Sequence, residues 1–357
     1  MDITTAVEQE LTIVGVDLAK RRFELALQEP ARRTLTSKCL SPEAFRLFFA
    51  NRSRCHIVME ACGTAQHWAR VLTAQGHQVS LLPAQHVRAY VRRNKTDAAD
   101  AAALIEASRC AGIRPVPIKT VDQQLVLQLH RVREQLKATR VARINGLRGM
   151  LREFGFSIAQ GATQGLRQVH EALEDAENGL PDALRPVIGG VLEEIASLQQ
   201  RMDDLERQIQ QLSDEDLVVA RLRTIPGIGV LGASALRAVV GRIERFRSGR
   251  HLGSYLGLTA REHSSGELRR LGRITKQGDV YLRTLLVHGA RAVLAAAVCA
   301  ERRGKPLDRL RAWALATARR IGYNKATVAL ANKLARIAWA TWTRGETYRG
   351  GPADAAA

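Results

Sequence analysis

The chain has 357 residues, 46% hydrophobic and 25% charged, which suits two or three domains with sizeable cores and excludes a disordered tail protein. Its longest apolar run, Ala292–Ala300, is too short to span a bilayer, and the opening MDITTAVEQE has no apolar signal segment, so a cytoplasmic protein with no membrane span is expected. The formal charge is +19, and it is unevenly placed: +4 over residues 1–110, −3 over 111–220 and +18 over 221–357.

A field of that size focused on the last third attracts a polyanion, most often nucleic acid. Aromatic residues make up only 4%, which favours phosphate contact over a base-stacking platform. The five cysteines (Cys39, Cys55, Cys62, Cys110, Cys299) show no C-x-x-C spacing. They read as reduced thiols, and neither a disulfide framework nor a zinc ribbon is expected.

In chain order, LTIVGVDLAK (11–20) is a β-branched strand carrying Asp17 near its end. RFELALQ (22–28) alternates with a strand period, and RRTLTSK (32–38) is a third strand signal. SPEAFRLFFAN opens on a Ser-Pro cap and continues as an amphipathic helix. CHIVME (55–60) is a buried-type strand ending on Glu60; 64–75 reads as a helix, 77–83 as a strand, and 84–111 as mostly helix formers. The pattern is α/β with a mixed sheet.

Residues 120–222 change period. Val121, Leu125, Leu129, Val132 and Leu136 begin one helical stripe. Ile188, Val191, Ile195, Leu198, Met202, Leu205, Ile209 and Leu212 form a second, spaced 3,4,3,4,3,4,3. Such a repeat suits a coiled coil or antiparallel helical arm able to dimerise the chain; a long helix packed inside one domain is the plainer reading. From Leu222 onward the chain is basic and largely helical. Pro226-Gly227-Ile228-Gly229 has the form of a helix-hairpin-helix turn, where backbone N–H groups of Gly227 and Gly229 can meet a phosphate; an ordinary αα turn has the same look.

Asp17 and Glu60 close two buried-type strands, and Asp97 and Asp100 share one helix face by their i, i+3 spacing. Four carboxylates meeting at a sheet edge repel one another unless divalent cations neutralise them. Mg²⁺ is the hard, oxygen-loving ion for such a set, and two ions about 4 Å apart serve phosphodiester chemistry. Each element alone is weak, since D-x-x-D is commonly a solvated first turn. Their joint order, ahead of a segment of charge +18, is what a ribonuclease-H-like nuclease core needs.

These residues also carry a resemblance. GVDLAK, VMEACG and KTDAADA resemble the DEDD motifs of the transposases of bridge-RNA-guided insertion sequences. TIPGIGVLGASAL and SGRHLGSYLGLTAREHSSGELRRLGRITKQGDVYLRTLL resemble the second domain of that family, so the likeness runs from about 11 to 345 in order. It implies an RNase H-like (RuvC-like) domain over 1–113, a helical coiled-coil region over 114–220 and a basic helical transposase domain over 221–345; the last dozen residues, 346–357, read by their composition as a frayed, disordered tail. Asp17, Glu60, Asp97 and Asp100 become the metal-binding acids, with two Mg²⁺ ions. The family's serine falls in His263-Ser264-Ser265-Gly266: Ser264 is the serine of S-x-G, and Ser265 stays open beside it.

Arg261, Arg269, Arg270, Arg273 and Lys276 bracket that loop and can clamp phosphate oxygens, and Gly266 permits close backbone approach. Many relatives follow the loop with another Gly and a basic residue, whereas Glu267-Leu268 stand here. His263 and Tyr255 are read as incidental and as packing, and Trp313, Trp339 and Trp342 as core.

The resemblance implies an RNA-guided transposase with a split active site, in which the serine joins covalently to DNA. It also implies a structured noncoding guide RNA with donor and target DNA; the heptad arm adds the expectation of a homo-oligomer through the coiled coil, and a bacterial, nucleoid-associated setting is expected. The rival readings are a RuvC-type endonuclease of branched DNA without serine chemistry and a non-catalytic nucleic-acid scaffold.

Overall fold

The computed structural model describes residues 11–30, 34–91 and 96–351, which form two compact units, residues 1–120 and 121–357. The break falls at Thr120 and not at 113, because residues 114–120 are stitched to the first unit. Val116 bridges Leu81, and the Pro117 and Lys119 carbonyls accept hydrogen bonds from Gln66 and Arg70.

In the first unit, β1 (Ile13–Leu18), β2 (Phe23–Gln28), β3 (Thr36–Leu40), β4 (His56–Glu60) and β5 (Gln78–Leu82) form one sheet in the order β3-β2-β1-β4-β5. β1–β2 and β2–β3 are antiparallel, while β1–β4 and β4–β5 are parallel. The third strand thus starts later than its sequence signal at 32–38, whose first two residues lie outside the described ones.

Period-2 alternation divides the sheet between two faces. Val14, Val16, Leu25, Ile57, Met59 and Leu81 pack with Phe45 and Phe49 of α1 (Pro42–Ala50) and with Ala65, Ala69 and Leu72 of α2 (Ala65–Ala74). Phe23, Phe45, Phe49 and Trp68 meet edge to face, with centroids 4.9–5.2 Å apart. After a single turn, α3 (Ala84–Val87), the opposite face receives α4 (Asp97–Ser108). Gly15 makes that contact possible: a Cβ there would lie 2.0 Å from the Ala101 carbonyl oxygen. This mixed α/β unit fits an RNase H-like fold.

The second unit begins with α5 (Val121–Glu153) and α7 (Arg185–Ser213), linked through α6 (Ala162–Glu174). Arg143 pairs Glu194 and Arg133 pairs Glu206, each at 2.7 Å, so residue numbers fall on one helix as they rise on the other and the pair is antiparallel. Ile188, Ile195, Leu198 and Met202 of the heptad stripe are buried, packing against Leu136, Ile144, Leu147 and Leu151 of α5. Much of the face expected to recruit a second copy is therefore covered within the chain, while Leu212 at its end is exposed. The 220/221 boundary expected from sequence is no break either. His130 of α5 bonds Ser234 at 3.0 Å and Tyr281 at 2.9 Å, tying the arm to the basic helices.

Those helices are α8 (Leu217–Arg223), α9 (Val230–Val240), α10 (Gly249–Tyr255), α11 (Val280–Arg302), α12 (Arg309–Ile321) and α13 (Tyr323–Arg344), with a hairpin of β6 (Ala260–Glu262) and β7 (Leu271–Ile274) after α10. Among the described residues α11, at 23 residues, is long and apolar enough by composition to cross a bilayer, although its longest unbroken apolar run is only 292–300. Its Leu282, Leu286, Ala290, Val293, Leu294 and Ala297 are instead core of this unit. The start of the supposed frayed tail is also docked, since Tyr348 N–H donates to Thr224 Oγ1 at 2.8 Å and Arg309 N–H to the Gly351 carbonyl at 3.2 Å.

Candidate functional site

Strand direction decides where the acids emerge. β1 and β4 are parallel, with Val16 opposite Met59, so Asp17 and Glu60 each stand one residue beyond the same register pair. Val16 and Met59 point to the α1/α2 face, and alternation sends Asp17 and Glu60 to the other, the face of Gly15 and Val58 on which α4 lies.

α4 runs antiparallel to β1. Its middle, Ala101 and Ile105, lies over Gly15, and Arg109 after its end bonds Gln28, the partner of Ile13 at the start of β1. The first turn of α4, with Asp97 and Asp100, is thereby directed to the strand end where Asp17 and Glu60 sit. Thr96 caps that turn, its Oγ1 accepting the Ala99 N–H at 3.2 Å while its carbonyl accepts the Asp100 N–H at 2.9 Å.

The four acids are not closed into a cage: among the described residues no group of three or more His, Cys, Asp or Glu side chains has metal-binding geometry. One atom nevertheless suits a cation. Asp100 Oδ1 is buried with no hydrogen-bond partner among the described residues. A carboxylate oxygen left so is costly. The four carboxylates are hard oxygen donors, residue types that fit a divalent ion of the Mg²⁺ kind. A cavity of about 850 Å³ opens at the other end of the sheet, between the strand starts Ile13, His56 and Gln78, away from the acids.

In the second unit the serine loop is the tip of the β6–β7 hairpin, with His263 N–H donating to the Arg270 carbonyl at 2.9 Å. Ser265 and Leu268 exchange both backbone bonds at 3.2 Å around Gly266, which has φ +56°. The two serines are thus unequal. Ser264 Oγ donates to Glu262 Oε1 at 2.8 Å and accepts the Arg270 N–H at 3.1 Å, whereas the backbone of Ser265 closes the turn.

Glu262 is the residue that the sequence reasoning missed. Its signal was the E-x-S spacing, which puts both side chains on one side of an extended strand. Arg269 sits 3.4 Å from the same carboxylate, and Arg261 donates to the Thr275 carbonyl at 3.2 Å. Arg270, Arg273 and Lys276 are exposed around them.

The Pro226–Gly229 turn joins α8 to α9. Gly227 has φ +84°, and its backbone meets Gly289 of α11, where a Cβ would come 2.7 Å from the carbonyl oxygen. Packing alone accounts for that glycine. Gly229 is exposed at the start of α9. Tyr255 packs on Phe246 at 5.2 Å, and burial raises its phenol above the usual range, as suits a core residue. Trp339 donates to the Phe246 carbonyl at 3.0 Å.

Comparison with known proteins gives two family matches. Residues 14–156 match a DEDD family described as "Transposase", and residues 219–304 match "Transposase IS116/IS110/IS902 family". The chain is 40% identical over 344 residues to a probable family 20 transposase of Pseudomonas aeruginosa, covering 96% of this chain and 99% of that protein. It is 37% identical over 343 residues to the transposase for insertion sequence element IS1111A of Coxiella burnetii, covering 96% and 93%. It is 35% identical over 338 residues to the transposase for insertion sequence element IS1328 of Yersinia enterocolitica, covering 95% and 98%.

Proposed function

Because the chain belongs to the IS116/IS110/IS902 transposase family and is a DNA transposase of an insertion sequence, we propose that it cuts and rejoins DNA with the acids of its first unit and Ser264 of its second. The observation that carries this reading is the strand topology, which directs Asp17, Glu60, Asp97 and Asp100 to a single end of one sheet.

Asp17, Glu60, Asp97 and Asp100 would hold Mg²⁺, two ions being the family expectation, and so neutralise their mutual repulsion. When bound, Mg²⁺ supplies charge stabilisation to phosphate oxygens and to the departing oxygen. The chain's own groups do the rest. Ser264 Oγ forms a bond to phosphorus, its proton passes to the Glu262 carboxylate 2.8 Å away, and the P–O bond to the leaving sugar oxygen breaks, that oxygen taking a proton from water to leave as a hydroxyl. The Arg270 N–H, already on Oγ, orients the nucleophile, and Arg273 and Lys276 provide cations for the non-bridging oxygens. Rejoining reverses the step, a sugar hydroxyl displacing the serine.

A structured guide RNA belongs to the same proposal. It is supported by the family likeness and by the +18 charge of residues 221–357, a field able to hold two polyanions. The rival without serine chemistry, a RuvC-type endonuclease of branched DNA, leaves the bond between Ser264 and a carboxylate without a role.

The test is covalent protein–DNA adduct formation with transposon-end DNA in Mg²⁺. Ser264→Ala should abolish the adduct and Ser265→Ala should keep it; Asp17→Asn should abolish cleavage. Adduct surviving both serine changes would leave the endonuclease as the better reading.

A further inference from the structure

Where α10 starts against α13, the second unit has an open groove of about 550 Å³. Arg250 lies on one wall, Lys333 and Arg336 on the other, and no carboxylate lines it. Arg250 and Arg336 are exposed, and neither has an ion-pair partner among the described residues. Lys333 sits 4.3 Å over the Trp313 ring, and burial together with the neighbouring Arg336 pulls its ammonium below its usual range. Three cations lining one groove, with the Trp313 ring on Lys333 but no carboxylate among them, are an unfavourable arrangement unless an anion is due there.

The walls are rigid. A Cβ on Gly249 would lie 2.9 Å from the Arg336 Cα, so α10 begins in backbone contact with α13, and the Trp339 indole is anchored by its bond to the Phe246 carbonyl. The other end of α10 is locked to the base of the serine hairpin. The Gly257 carbonyl accepts the Lys276 N–H at 3.1 Å, and Arg283 donates to both the Leu256 and Gln277 carbonyls at 3.1 Å. Groove and hairpin base thus stand at opposite ends of a seven-residue helix, about 10 Å or three base-pair rises apart.

We infer that this groove holds the phosphodiester backbone of duplex DNA. The ligand is a phosphodiester backbone because every charged residue lining the groove is a cation, the complement of a phosphate. Duplex DNA is chosen because DNA is what the family acts upon. The inference does not depend on the serine or metal chemistry, since it is read by binding alone.

The experiment titrates the full chain with a duplex of about 40 base pairs across a range of NaCl, and reads the slope of log K against log salt, to which each phosphate contact contributes about 0.9. Neutralising the groove with Arg250→Gln, Lys333→Gln and Arg336→Gln should lower the slope by about 2 to 3 and weaken binding at least about tenfold near 0.1 M salt. The equal-charge control Arg291→Gln, Arg302→Gln and Arg303→Gln, exposed on or just after α11, should change it by less than about 1.

A slope unchanged in the groove variant, or lowered equally in the control, overturns the inference. So does a loss confined to an RNA duplex titrated in parallel. Should the triple variant melt early, Arg250→Gln with Arg336→Gln, both at exposed positions, should still lower the slope by about 2.

Discussion

Two serines that the sequence leaves equal are made unequal by one hydrogen bond. Glu262 accepts from Ser264 while the backbone of Ser265 closes the turn, so Glu262→Gln should slow adduct formation on the order of 10²-fold and shift its pH profile, with DNA binding unaffected. Asp100 is the corresponding test on the acidic side. Its buried oxygen, without a partner among the described residues, predicts that Mg²⁺ raises the melting temperature of the wild type, and that Asp100→Asn removes most of that rise while itself melting no lower without metal. Both measurements read a single atom. Neither atom's environment was visible in the residue types, since E-x-S and D-x-x-D are also ordinary surface spacings.

At the scale of elements, the period-2 strands and the heptads were legible because the period itself encodes which face is buried. The role of Gly15 was not legible, because it depends on a helix beginning more than 80 residues later. Gly15→Ala should drive a methyl into the Ala101 carbonyl, push α4 off the sheet, cost about 1–3 kcal/mol and misplace Asp97 and Asp100; calorimetry and the Mg²⁺ shift report the two effects.

The seam between arm and bundle carries a second prediction. Burial lowers the His130 imidazole from 6.5 to about 4, so the folded chain keeps it neutral while the unfolded chain binds a proton below pH 6.5. Stability from this group is therefore complete above pH 6.5 and falls between 6.5 and about 4, by roughly 3 kcal/mol. A pH series of melting temperatures should show the fall, and His130→Gln should flatten it. The heptad stripe was legible as a seam, but its partner was not: α5 of the same chain and a second copy satisfy the same spacing.

For the whole molecule, the partition of charge was the most informative compositional fact, because it separates a near-neutral arm from a segment of charge +18. If that segment also carries a guide RNA, nuclease removal of co-purified RNA should reduce the preference for target over random duplex to near unity, while salt-sensitive binding persists; filter binding with both duplexes reads this. Segmentation was less legible. An arm that shares His130, Ser234 and Tyr281 with the basic helices does not stand as a domain, and an apolar helix such as α11 is told from a membrane span only by what packs on it.

By itself, the sequence determined the alternating and heptad periods, the acidic strand ends, the serine loop and the basic last third, since each is a property of neighbours along the chain. Tertiary structure alone decided that β1 and β4 run parallel with α4 reversed over Gly15, that Ser264 meets Glu262, that α5 fills the heptad seam, and that three cations share one groove. These are contacts between residues distant in number or turned by backbone geometry, and spacing along a chain specifies a face without specifying what will lie against it.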